Sequence, residues 1–107
     1  KSNEYSEFDE GFEITFYDSL GNKSSYIRAD YGIDYVNKKR LEARNNVLVK
    51  NLETQEQLNT ENLVWDRKQK IIYSNSFVKI TSPDKVIKPK NILLKEEFIK
   101  LKTLISK

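Results

Sequence analysis

The chain has 107 residues, a net charge of +3, and 37% hydrophobic against 33% charged residues, which bounds it to one domain, residues 1–107, with a thin core. It contains no Cys and no His, so disulfide frameworks, thiol nucleophiles, thiolate zinc sites and imidazole acid–base chemistry are excluded. Five Phe, six Tyr and one Trp argue against a disordered chain, and since no apolar run is longer than Ile92-Leu93-Leu94, no stretch of this sequence has the length of a membrane span or a signal h-region.

In chain order, residues 1–10 read as a flexible segment, acidic through Glu4, Glu7, Asp9 and Glu10. Phe12, Ile14 and Phe16 then share one face of a strand, closed by the turn Asp18-Ser19-Leu20-Gly21-Asn22. Ile27, Ala29, Tyr31, Ile33 and Tyr35 alternate with Tyr26, Arg28, Asp30 and Asp34, which predicts one long half-buried strand ending at the turn Asn37-Lys38-Lys39. Leu41, Ala43, Val47 and Val49 keep odd parity across Asn45-Asn46; Asn tolerates left-handed backbone, so a kink or bulge is expected there. Past the turn Glu53-Thr54-Gln55-Glu56 the apolar set changes parity, from Leu58 and Thr60 to Leu63 and Trp65. An extra residue near Glu61-Asn62 would keep both sets on one face. The turn Asp66-Arg67-Lys68-Gln69 leads to Ile71 and Tyr73, and a second parity change to Val78 and Ile80 predicts another bulge near Ser74-Asn75-Ser76. After the turn Ser82-Pro83-Asp84-Lys85 and the turn or edge position Lys88-Pro89-Lys90, two readings stay open. Leu94, Phe98, Leu101 and Ile105 have helical spacing, whereas Ile99, Leu101, Thr103 and Ile105 alternate as a strand. Residues 88–107 are therefore expected to form either a short helical turn at 94–98 followed by a final strand, or a single helix. The chain as a whole reads as all-β, a strongly curved antiparallel meander.

Little in the sequence points to catalysis. Asp30 with Asp34, or Glu61 with Asp66, supplies the paired carboxylates that glycoside hydrolysis needs, but Asp30 and Asp34 fall on an outward strand face where solvated charge is the ordinary reading. Asp18, Asn22 and Asp34 lack the dense loop spacing of a calcium site, so no metal and no cofactor is expected. The basic runs Lys38-Lys39-Arg40, Arg67-Lys68-Gln69-Lys70 and Lys85 to Lys90 could address phosphates, but two of them lie at hairpin turns, where solvation and blunting of sheet edges account for them. The small net charge, the acidic N-terminus and the lack of a recognition motif argue against nucleic acid as a partner. By residue type alone, the stripe Phe16, Ile27, Ile33, Tyr35, Val47, Val49, Leu63, Trp65, Phe77 and Val78 is an ordinary core.

Several stretches carry a more specific signal: Ile14-Thr15-Phe16-Tyr17-Asp18-Ser19-Leu20-Gly21-Asn22-Lys23-Ser24-Ser25, Ala29-Asp30-Tyr31, Leu41 to Val49, Leu58-Asn59-Thr60-Glu61-Asn62-Leu63-Val64-Trp65-Asp66, Lys70-Ile71-Ile72-Tyr73-Ser74 and Phe77-Val78-Lys79-Ile80. Over roughly residues 11–87 this order resembles the LptC family of periplasmic lipopolysaccharide export proteins, in its short Bacteroidetes-type form, within the LptC/LptA/OstA-like superfamily. Asn45 stands where the family commonly has glycine, and Lys88-Pro89-Lys90-Asn91 replaces a glycine-rich step. The resemblance implies a twisted, open antiparallel β-jellyroll of two sheets around an apolar groove, with no enzymatic activity. The ten residues of the stripe would line that groove and hold lipopolysaccharide acyl chains. It further implies the inner-membrane lipopolysaccharide ABC transporter permease as donor and a periplasmic LptA-like bridge protein as acceptor. Location would be periplasmic at the inner membrane, through an anchor absent from this chain. Two alternatives fit the same β architecture: a scaffold that docks a partner by edge-strand addition without lipid, and the bridge-protein member of the same pathway.

Overall fold

Alternating apolar residues separated by Asp, Asn, Gly and Pro turns become strands at almost every segment where that pattern occurs. The computed structural model describes residues 4–99. Its strands are β1 (Tyr5–Phe8), β2 (Phe12–Tyr17), β3 (Lys23–Ala29), β4 (Tyr31–Tyr35), β5 (Arg40–Asn51), β6 (Glu56–Asp66), β7 (Ile71–Ser74), β8 (Val78–Ser82), β9 (Lys85–Ile87) and β10 (Ile92–Lys95), with 3-10 turns at Val36–Lys38 and Glu96–Phe98. All pairings are antiparallel. The turns are held by local side chains, as short polar residues do when they cap their own backbone: Asp18 Oδ1 accepts from the amides of Leu20 and Asn22, both at 2.9 Å, and Asp66 Oδ1 accepts from Lys68 and Gln69, both at 3.0 Å.

The architecture follows from the two long strands, β5 with 12 residues and β6 with 11. Residues 40–44 of β5 pair with β4 and with residues 62–66 of β6, while residues 47–51 pair with β3 and with residues 56–60 of β6. The hairpin therefore belongs to two arms. One runs β1-β4-β5-β6-β7-β10 and the other β2-β3-β5-β6-β8-β9, making an open, all-β fold consistent with a jellyroll.

The bend between the arms lies where the sequence places it. Asn45 and Asn46 both adopt left-handed backbone, with φ of 69° and 54°, and these two residues of β5 oppose the single Glu61 of β6, since Arg44 pairs with Asn62 and Val47 with Thr60. The parity change between Thr60 and Leu63 is present, but the extra residue sits on β5. Asn46 Nδ2 donates to Asp30 Oδ2 at 2.6 Å and its amide to Glu61 Oε1 at 3.3 Å, while the Asp30 amide donates to Asn45 O at 2.9 Å. The corner thus binds three chain segments together.

Two expectations about parity are corrected. The run from Ile27 to Tyr35 is two strands with a bend at Asp30, and the facing residue slips by one: Ile27 pairs with Val49 on the inner face, but beyond the bend it is Gly32 that pairs with inner Ala43. Ile33 and Tyr35 consequently point to the outer face, opposite Glu42 and Arg40. Gly32 leaves room for Phe12, whose ring atoms would lie 3.0 Å from a Cβ placed there. The second correction concerns β7, where Ile72 and Ser74 are buried at 0% and 1% exposure, not Ile71 and Tyr73. Parity then matches Val78 and Ile80, and the expected bulge at Ser74-Asn75-Ser76 is instead the crossing from one arm to the other.

At the N-terminus, Tyr5–Phe8, within the segment expected to be flexible, forms β1 against β4. Toward the C-terminus, residues 92–95 pair with β7, and the helical turn expected at 94–98 is a 3-10 turn over Glu96–Phe98. The expected final strand, or the rest of a helix, falls almost wholly outside the described residues.

Candidate functional site

The inner faces of the two arms meet in one apolar cluster. Of the ten stripe residues, Ile27, Val47, Val49, Leu63, Trp65 and Val78 belong to it, each at most 5% exposed, and half-buried Phe16 packs against it. Ile33 is buried outside the cluster, and Tyr35 lies with it on the outer face, its ring 6.3 Å from that of Tyr5 and 5.4 Å from the Arg40 guanidinium. Phe77 is 70% exposed at the crossing between the arms, because the neighbouring Val78 takes the inward position. The stripe had also left out Leu58, Ile72 and Ile99, each 0% exposed. Leu58 shares the parity of Thr60 and was legible. Ile72 was hidden by the apolar run Ile71-Ile72-Tyr73, which fits either face, and Ile99 was marked only as one member of an alternating run, with no signal for what it packs against.

At the ends of the arms farthest from the corner, the inner rows are Phe16, Ser25, Asn51 and Glu56 on one side and Asp34, Leu41, Trp65, Ile72 and Leu94 on the other. The arms touch there through Phe16 and Trp65, edge-on at 5.5 Å between ring centroids, a favoured aromatic geometry. The Trp65 indole donates to Glu96 Oε1 at 3.0 Å, and the Arg67 guanidinium lies 5.5 Å from its ring while pairing with Asp34 at 2.8 Å. Trp65 is thus a structural tie between the arms.

The family model for lipopolysaccharide-assembly, LptC-related proteins matches residues 3–92. The chain belongs to that family. No curated protein matches it. Membership of the LptC family implies a role in lipopolysaccharide transport in the periplasm, in association with the inner membrane. Among the described residues, no helix is long and apolar enough to cross a membrane.

The outer face of the LptC-family fold carries its own chemistry. An open groove of about 700 Å³ runs over the row Arg28, Leu48, Asn59 and Lys79 and reaches Phe77 and Lys88. On the other arm, Tyr31 donates to Glu7 Oε2 at 2.6 Å, and this bond to a carboxylate raises the phenol above its ordinary pKa. Asp66 is held below its ordinary carboxylate value, first by the Gln69 backbone amide. Two of the basic residues expected at turns are engaged: Arg67 as above, and Arg40, whose Nε lies 3.4 Å from Glu42 Oε2.

Proposed function

We propose that this chain carries lipopolysaccharide acyl chains between its two arms, accepting lipid from the inner-membrane ABC transporter permease and relaying it to an LptA-like bridge protein by strand-to-strand contact. The observation that carries the reading is the convergence of both inner faces on one apolar surface, with Ile27, Val47, Val49, Leu63, Trp65 and Val78 at its centre and Phe16 at its margin. An amphiphile whose tails must cross water gains about 0.8 kcal/mol per buried methylene, so an apolar lining is sufficient and no catalytic group is needed. For docking, β1 and β10 end one arm and β2 and β9 the other. Unpaired strand edges are templates for another chain's strand.

A second reading is favoured by one observation, the near-complete burial of the inner residues: a closed-core scaffold that recruits a partner at a sheet edge and holds no lipid. Trp65 separates the two, being the one tryptophan of the chain. Titration with lipopolysaccharide should produce a saturable change in its emission on the carrier reading. An unchanged spectrum, together with loss of partner capture in Val86→Pro on edge strand β9, would leave the scaffold.

A further inference from the structure

The inner row of Ser25 and Asn51 is polar, yet both residues are almost fully buried, at 0% and 3% exposure. Such groups are retained in an apolar interior when they have partners, and here the partners are main-chain carbonyls of the last described turn. Ser25 Oγ donates to Ile99 O, and Asn51 Nδ2 donates to Phe98 O at 3.0 Å. The Asn51 amide is fixed in orientation, since its Oδ1 accepts from the Glu53 and Thr54 amides at 2.9 and 3.1 Å, which leaves only Nδ2 to face inward. From the other arm, Lys70 O accepts from the Glu96 amide at 2.9 Å and the Trp65 indole donates to the Glu96 carboxylate. Between these anchors the Ile99 side chain is 0% exposed within the core cluster.

We propose that the Glu96–Ile99 turn is an internal mimic of an acyl group: it seals the space between the arms, must leave for lipid to enter, and is replaced by a ligand whose acyl carbonyls accept from Ser25 and Asn51. The inference rests on the carrier reading and adds a gate and a subsite to it. The exchange is like for like. An alkyl chain takes the place of the Ile99 side chain, and an ester or amide carbonyl that of the Phe98 and Ile99 carbonyls, so neither the apolar surface nor the two buried donors are left without a partner. The turn is also an element that can leave without breaking a strand ladder. It follows β10, belongs to neither strand ladder, and among the described residues is joined to the arms by one fully buried side chain, half-buried Phe98 and a few hydrogen bonds. The site selects for acyl esters and amides over alkyl ethers.

Because the chain has no Cys, Ile99→Cys in the full chain gives a single thiol whose maleimide labelling reports the turn, and Val49→Cys, at an equally buried inner position on β5, reports global unfolding. Lipopolysaccharide should accelerate labelling of Ile99→Cys at least about tenfold and leave Val49→Cys no faster. If lipopolysaccharide changes Trp65 emission while Ile99→Cys stays protected, the gate is overturned and the carrier reading stands. If Ile99→Cys labels rapidly without lipid while Val49→Cys does not, the turn is not seated and the gate is likewise overturned. Absence of lipid binding in both the wild type and Ile99→Ser defeats both ideas, whereas binding confined to Ile99→Ser supports a tight seal. The subsite has its own readout. Sucrose monolaurate should bind about fivefold tighter than dodecyl maltoside, a disaccharide glycoside of equal chain length with no acyl carbonyl, as expected for about one hydrogen bond. Ser25→Ala should narrow that ratio, and an unchanged ratio would overturn the carbonyl subsite.

Discussion

Replacing Asn45 by Val tests the corner that makes two arms from one hairpin. Asn45 is exposed and has φ of 69°. Left-handed backbone costs an ordinary L-residue about 1–2 kcal/mol, Asn less, and a β-branched side chain sits at the costly end. Asn45→Val should therefore destabilise by about 1–2 kcal/mol. With a urea m-value of about 1.5 kcal/mol/M, the midpoint would fall by roughly 1 M. Asn45→Gly should be close to neutral, because relief of the backbone term offsets about 0.5–1 kcal/mol of added unfolded-state freedom. The sign is diagnostic. Were β5 a regular strand at this point, Val would stabilise it through its higher strand propensity and Gly would weaken it. Chemical denaturation of the three proteins, followed by Trp65 emission, decides the matter: Asn45→Val at least as stable as the wild type, or Asn45→Gly the weaker of the two, would refute the bent-hairpin argument.

Other outcomes follow from burial and charge. Leu58→Ala, at a position with no exposure, should lose about 2–5 kcal/mol in the same assay, while Phe77→Ser, at 70% exposure, should change stability by no more than about 0.5 kcal/mol. A Phe77→Ser loss as large as that of Leu58→Ala would return Phe77 to the core. For Asp66, whose carboxyl is held low by the Gln69 and Lys68 amides, the contribution to stability is complete above the ordinary carboxylate pKa and disappears as pH falls through the lowered folded-state value. Urea midpoints of the wild type and Asp66→Asn should thus differ most at neutral pH and converge in acid; a gap that is constant with pH would remove Asp66 as the cause.

The parts of the fold legible in the sequence are those fixed by local chemistry. Asp18, Asn51 and Asp66 cap their own turns with side-chain oxygens, and adjacent asparagines mark the bulge because few other residues tolerate its backbone. Less legible are the points where a strand leaves one arm for the other. At Tyr31-Gly32-Ile33 and Ile71-Ile72-Tyr73 apolar residues occupy both parities, so period-two counting assigns the wrong face, and Ile33 and Tyr35 were carried outward by the one-residue slip at Asp30. Gly32 was the available clue, since a glycine inside a strand signals close approach, here of Phe12. Of the candidate site, the apolar cluster was readable in part, because alternation selects Ile27, Val47, Val49, Leu63 and Trp65 as buried residues. The seating of the Glu96–Ile99 turn against the arms was not readable, because the pairing of Ser25 and Asn51 with Phe98 and Ile99 joins residues far apart in the chain and leaves no local pattern.

The most direct test of lipid carriage uses a photo-crosslinking phenylalanine analogue and labelled lipopolysaccharide. Phe16 is the favoured inner position, since it is half-buried at the margin of the cluster and its shape is conserved by the analogue; Arg28 on β3 and Lys79 on β8 provide outer-face controls on the same arm. Adducts concentrated at Phe16 are the predicted result, and labelling confined to Arg28 and Lys79 would contradict passage of the lipid between the arms.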